Sequence, residues 1–289
     1  MCLTVRIVFR AFVVGWSFWL VMCLGAMTAL PVAAQERSQI EEGLAALEDE
    51  DFVAASEHFS AAFDAGAPDG AFFLGRMLEL GMGGPPNPKA AVGLYLAGSA
   101  KGSAAAKNRL GILHIQGEWV LQDYAQGAEL ICTAAELGDV NGAYNCGSLL
   151  LEGKGIAQDE RAAYEWFSKA AARGHFGAKN AYANGLIEGK YVEKDIVGAV
   201  QLFQQTAAAG NPVGLFALGQ AFAAGLGVDQ DLILAHSYFN LAAALGHPGG
   251  AGARQALEAQ MSADAVTQAQ QRAKAWRPVT ASARRELDQ

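Results

Sequence analysis

Glycine recurs at a fixed interval of 36 residues: Gly66, Gly102, Gly138, Gly174, Gly210 and Gly246. A second series, Gly81, Gly117, Gly153, Gly189 and Gly225, keeps the same interval. So does a third, Asp51, Asn87, Asp123, Asp159, Asp195 and Asp231. A fourth runs Gly75, Gly111, Gly147, Ala183 and Gly219. Four phased series without an insertion restrict the chain to a stack of like units, each too small to bury its own apolar face.

Each series has a physical task. The Asp and Asn positions precede segments rich in Ala and aromatics, such as Glu160–Arg173, and act as helix N-caps, whose side-chain oxygens accept from unpaired backbone N–H groups. Asn87-Pro88 strengthens this reading, because proline suits the first helical position. The 66 and 81 series end helices, where glycine takes the left-handed conformation at low cost. One unit is then helix A, about 68–80, a short loop, helix B, about 88–101, and a tight turn.

The 75 series falls inside helix A, where glycine costs about 1 kcal/mol relative to alanine. A repeated cost implies a repeated reason, namely a close approach of helix A to helix B. The remaining seam is filled by Leu74, Leu110, Cys146, Tyr182 and Leu218 on helix A. Tyr95, Ile131, Phe167, Phe203 and Phe239 fill it on helix B, with Phe59 in register. The expected fold is all-α, an α/α solenoid of 36-residue helix-turn-helix repeats. Residues 35–66 form a degenerate first repeat, 67–246 five complete ones, 247–277 C-terminal capping helices and 278–289 a flexible tail. Ser262 is placed to cap the last helix.

Arg6 and Arg10 precede an apolar run, Ala11 to Leu30, followed by Pro31-Val32-Ala33-Ala34. A basic flank, an apolar core and small residues at its end make a secretory signal over residues 1–34, cleaved after Ala34. The alternative is a retained inner-membrane anchor, since about 20 apolar residues span a bilayer. Both place the body outside the cytoplasm, in a bacterial periplasm or secreted. Beyond residue 34 the chain holds 19 basic against 29 acidic side chains, which argues against general nucleic-acid binding. Residues 35–66 carry nine acids and only Arg37, whereas Arg272, Lys274, Arg277, Arg284 and Arg285 gather at the other end. Solubility capping of the solenoid ends and association through them are both consistent with that asymmetry.

No cofactor loop, catalytic triad motif or His-rich metal motif is present. Gly153-Lys154-Gly155 lacks the spacing and the Ser or Thr of a phosphate loop. Cys132 and Cys146 fall on either side of the turn at Gly138, where they face one another, and in an oxidising compartment they are read as a disulfide. Two buried free thiols are the other outcome, and two thiolates without clustered His fall short of a metal site. His114 takes the place held by Leu78, Leu150, Leu186 and Phe222 and is read as a seam histidine. His175 and His247 share the position just after the turn glycine.

The stretch Ala143–Gly174, with its YNC-G-SLLLEG-KG-IAQD-ERAAYEWFSKAAARG pattern, resembles the Sel-1-like repeat family, relatives of the tetratricopeptide repeat. Trp119 and Tyr191 depart from the loop glycine usual in that family, so those two loops are expected to differ in shape. The resemblance implies a protein-interaction solenoid with helix A on its inner face, and no single activity. On that face two columns are read as exposed. One is Phe72, Asn108, Tyr144, Asn180 and Phe216; the other is Arg76, Ile112, Ser148, Asn184 and Gln220, with Asn141 beside Tyr144. Aromatic rings alternating with amides suit an extended peptide, whose backbone the amides bond and whose side chains the rings pack. The same residues also read as plain helix surface. The function expected is a non-enzymatic adaptor in envelope signalling or assembly, with a structural or peptidoglycan-associated scaffold, or a cell-wall hydrolase, as alternatives. Glu79, Glu152 and Glu188 are the acids nearest the groove and make no evident pair. The sequence leaves the oligomeric state open.

Overall fold

A computed structural model describes residues 32–279, so the expected export signal falls almost wholly outside the described residues, as does the tail beyond Val279. The described residues form fourteen helices and no strand. In chain order these are α1 Val32–Glu48, α2 Phe52–Ala65, α3 Asp69–Leu80, α4 Pro88–Ala100, α5 Ala104–Gln116, α6 Tyr124–Glu136 and α7 Val140–Glu152. The series continues with α8 Glu160–Ala172, α9 Phe176–Glu188, α10 Ile196–Ala208, α11 Pro212–Ala224, α12 Leu232–Ala244, α13 Gly250–Glu258 and α14 Ala263–Ala275. Each helix from α1 to α12 packs on the next, which makes an antiparallel stack of A–B pairs.

The punctuation works as the spacing requires. Asp51, Asn87, Asp123, Asp159, Asp195 and Asp231 each accept from the backbone N–H three residues on, at 2.8–3.2 Å. From Asn87 onward the backbone N–H of each capping residue also bonds a carbonyl nine residues earlier, as Asp159 does to Leu150 at 3.0 Å. That bond closes the seven-residue A–B loop. Gly81 and its equivalents end helix A at φ near +70°, and the Gly66 series carries positive φ after helix B.

The glycines inside helix A face the large seam side chains of helix B, rings at three positions and Ile131 at one. A Cβ on Gly75 would meet Tyr95 at 2.5 Å, and one on Gly147 would meet Phe167 at 2.7 Å. One on Gly111 would meet the Gly127 carbonyl at 2.7 Å. The ring series of helix B is buried throughout, from Phe59 to Phe239. On helix A, Leu110, Cys146 and Leu218 are buried, while Leu74 and Tyr182 are half-buried.

The first pair departs from the repeat in one respect. Only Asp49–Asp51 separate α1 from α2, against Gly81–Asn87 in the next pair. The glycine over the ring therefore moves along the sequence to Gly43, whose Cβ would meet Phe59 at 2.5 Å. At the other end α13 starts only at Gly250, and Ser262 caps α14 through Ala265 N–H at 3.2 Å. Helix α14 packs on α12, and the chain then returns to α10, where Val279 N–H donates to Ala208 O at 2.8 Å. Pro278 and Val279, expected at the start of a loose tail, are thus held against the body.

Candidate functional site

Successive A helices touch directly, α3 with α5 and α5 with α7, whereas among α2 to α12 no pair of successive B helices packs comparably. Over the first three complete units the A row is thus the tighter one. Side-chain bonds tie it together: Ser103 to Asp69 at 2.6 Å and Asn145 to Asn108 at 3.0 Å.

The first column read as exposed is not exposed. Asn108 and Asn180 are buried, at 7% and 5% of their surface. Asn108 accepts from the Asn145 amide, while Asn180 donates to Asn211 Oδ1 at 3.1 Å and accepts from the Thr206 hydroxyl at 2.8 Å. Tyr144 stacks on His175 at 4.5 Å, and Phe216 on His247 at 4.0 Å. Phe72 lies against Phe73 and Tyr95. The alternation of ring and amide therefore belongs to the packing of each A helix on its neighbours, because a polar group in that seam needs a bonded partner and a ring needs a flat one.

His175 caps helix A as Ser103, Asp139 and Asn211 do in other units, and His247 stands at the equivalent position, two residues before the Gly249 cap of α13. His175 Nδ1 accepts from Ala178 N–H at 3.0 Å, and His247 Nδ1 lies 3.2 Å from Gly249 N–H. An imidazole that accepts at Nδ1 must be neutral with its proton on Nε2. Burial holds both below the ordinary histidine range, with Asp139 opposing at His175. The sequence shows this row of caps as a polar position after each turn glycine, although its capping role extends well beyond the two histidines.

The second column stays accessible in part. Asn184 and Gln220 are exposed, as is Asn141; Ile112, Ser148 and Arg76 are half-buried. Ser148 donates to Tyr144 O, and Arg76 bonds Glu79 at 2.6 Å. Glu79 also receives Arg109, from the next A helix, and the Tyr95 hydroxyl. Burial pushes this carboxyl up, but the Arg109 and Tyr95 hydrogen bonds, with the Arg109 and Arg76 charges, bring it below the usual carboxylate range. Burial and then Glu79 push the Tyr95 hydroxyl up. Glu79 is thus a paired structural anion, while Glu152 and Glu188 are exposed at separate helix ends. Nothing in the spacing of the sequence announced Arg109 as its partner.

Cys132 and Cys146 form a disulfide between α6 and α7, with Cα atoms 4.9 Å apart. The equivalent pair one unit earlier does not match it, for Leu110 is buried while Leu96 is exposed. His114 is satisfied through Leu121 O at 3.1 Å. Of the two departing loops, that of Trp119 keeps the left-handed backbone at φ +61°, as if glycine still stood there. Tyr191 does not, and stacks instead on Tyr164. Among the described residues no three His, Cys, Asp or Glu side chains gather as a metal-binding group, and no helix is long and apolar enough to cross a membrane.

No curated protein matches the chain. Among solved structures, it is similar to c5321, a protective antigen of uropathogenic Escherichia coli with an SLR fold, at 27% identity and TM-score 0.72. That match covers 83% of this chain and 52% of the antigen, so the chain spans about half of its length. A Sel1 repeat protein from Oxalobacter formigenes matches at 21% identity and TM-score 0.65, covering 86% of this chain and 95% of that one. The family pattern described as "Sel1 repeat" matches residues 68–103, 104–139, 140–175, 178–211 and 212–247, more than half of the chain in five consecutive copies. With the helical pairs and their caps, this establishes that the chain belongs to the Sel1 repeat family.

Proposed function

We propose that this protein is a non-enzymatic adaptor, exported from the cytoplasm, that holds an extended segment of a protein partner along its helix-A face. It would serve there in envelope signalling or assembly. The observation that carries the reading is the row Arg76, Ile112, Ser148, Asn184 and Gln220, one residue per unit at the same position of five successive A helices, each half-buried or exposed. Its open end, with Asn141 nearby, offers uncharged amides, which can donate to and accept from a peptide backbone at once. Repeats of this family generally mediate protein–protein contact, and the Glu79 carboxylate is fully engaged by three donors. The disulfide accords with an oxidising compartment.

A photo-crosslinking residue at Asn184, with Glu165 on the outer face of α8 as control, tests this in native cells. The expected outcome is one protein captured from Asn184 alone. Combined replacement of Asn141, Asn184 and Gln220 by Ala should then weaken that partner about tenfold, the scale expected when several peripheral side chains are truncated at once. Equal capture from both sites, or an unchanged affinity, removes the groove from the account.

A further inference from the structure

The second half of α8 departs from the repeat. Trp166, Lys169 and Arg173 stand there, where the units before and after hold Leu130, Thr133 and Leu137, and Leu202, Gln205 and Ala209. These three side chains line a cavity of about 410 Å³, closed on its other side by Ala135 and Gly138 at the end of α6 and Val140 at the start of α7. The cavity therefore lies on the edge formed by the B–A turns.

Both cations are held at its wall. Lys169 Nζ lies 4.2 Å from the centre of the Trp166 ring, and Arg173 donates to Gly138 O across the turn. Neither lies within ion-pair distance of a carboxylate among the described residues. Asp139, the acid that lines the cavity, is engaged by Gly142 N–H as the cap of α7. Glu136 is exposed at the end of α6 and does not line it, and Glu165 lines a separate cavity with Tyr182 and Tyr191 on the α9 side of α8. An apolar cavity with two unpaired cations at its wall is complementary to an apolar side chain flanked by carboxylates.

The chain itself carries such a group. Beyond the described residues the sequence runs Arg284-Arg285-Glu286-Leu287-Asp288, which sets Leu287 between two acids. Its tether is nearby. A Cβ on Gly210 would meet Pro278 and Trp276 at 3.6 Å, and Val279 N–H donates to Ala208 O, so the chain is fixed at the end of α10. Ala208 and Ala172 close α10 and α8 at equivalent positions of successive units. Helix α8 packs on α9 and α9 on α10, and two helix contacts of 8–10 Å put those ends within about 20 Å of each other. The eight residues from Val279 to Leu287 reach about 26 Å when extended. We propose that residues 280–288 run back along the B–A edge and seat Leu287 in the cavity against Trp166, with Glu286 and Asp288 meeting Lys169 and Arg173. Arg284 and Arg285 then cross α8 on the side where Glu165 is exposed.

Carbodiimide coupling, which joins an amine to a carboxylate only where the two touch, tests this on the full chain. The expected product is an amide from Lys169 to Glu286 or Asp288 within one molecule. In the full chain labelled with 5-fluorotryptophan, Leu287→Ser should move the Trp166 fluorine resonance and leave that of Trp119 in place; the substitution lies outside the packed helices, so folding is not at stake. A capped peptide of residues 282–288 added to a chain ended at Val279 should restore the Trp166 resonance. The same peptide with lysine in place of both acids should bind about tenfold more weakly, the scale of two exposed ion pairs. Absence of the Lys169 amide, or a Trp166 resonance indifferent to Leu287→Ser, overturns the proposal. So does an amide found only between two molecules, which would make this edge an interface between copies of the chain.

Discussion

His175 shows how one residue can carry both a cap and a stack, and His247 joins a stack to a turn contact. Each accepts a backbone N–H in its neutral form only, and burial holds both below the ordinary histidine range. Their unfolded forms titrate near 6.5, so the unfolded chain binds more protons below that pH. Stability is therefore whole above about pH 6.5 and is lost as pH falls through the lower folded values. Thermal melts between pH 7.5 and 5 should show this loss. His175→Asn, the residue that caps the equivalent position at 211, should flatten part of it. Glu79 has the same sign at lower pH: its depressed carboxyl contributes stability that disappears as acid protonates it. Glu79→Ala leaves Arg76, Arg109 and Tyr95 without their acceptor, and urea titration should record a loss of about 2 kcal/mol, on the scale of charged hydrogen bonds. The aromatic and amide residues of the 72–216 column are visible in the sequence, but their burial is not. Which side of helix A turns toward the neighbouring unit depends on the curvature of the stack, and a one-dimensional pattern does not contain it.

Helix pairs are the most legible level, because caps, turn glycines and seam rings repeat where the backbone needs them. The glycines facing helix B explain themselves by contact: at Gly111 an added methyl would meet a backbone carbonyl that cannot move aside. Gly111→Ala should therefore destabilise by about 1–3 kcal/mol through overpacking, although the same change on an open helix stabilises by about 1 kcal/mol. Chemical denaturation separates the two signs. Ala183, which sits at the same position in the fourth unit and is buried, shows that this one seam has room for the methyl. The disulfide fixes α6 to α7 across a 14-residue separation. Its reduction should cost about 3 kcal/mol by loop entropy, read as a lower melting temperature in dithiothreitol that Cys132→Ser no longer shows. The facing of the two cysteines across the turn is open to reading from spacing alone. The equivalent positions one unit earlier offer no parallel, because Leu96 is exposed.

Across the full stack, the repeat number and the order of helices follow from phase alone. Stability in such a stack is close to a sum over units and their interfaces. Unfolding of Gly111→Ala should accordingly begin locally, with hydrogen exchange rising first in α5 and α6 and least in α11 and α12. Loop shape is the least legible feature at this level. The Trp119 loop retains a glycine-like backbone, whereas the Tyr191 loop abandons it for a ring stack, and nothing in the two side chains alone tells these outcomes apart.

The first hairpin has a consequence for how such chains change. Three residues, Asp49–Asp51, suffice to seat Gly43 over Phe59, while the next hairpin uses seven for the same task. Four residues in each longer connection are thus spare length as far as helix pairing is concerned. They all emerge along one margin, so that margin is where a lineage can experiment without touching the seam. Trp119 reads as one such experiment, tolerated by the architecture because Gly111, seated on Ile131 and the Gly127 carbonyl, already holds the pair together.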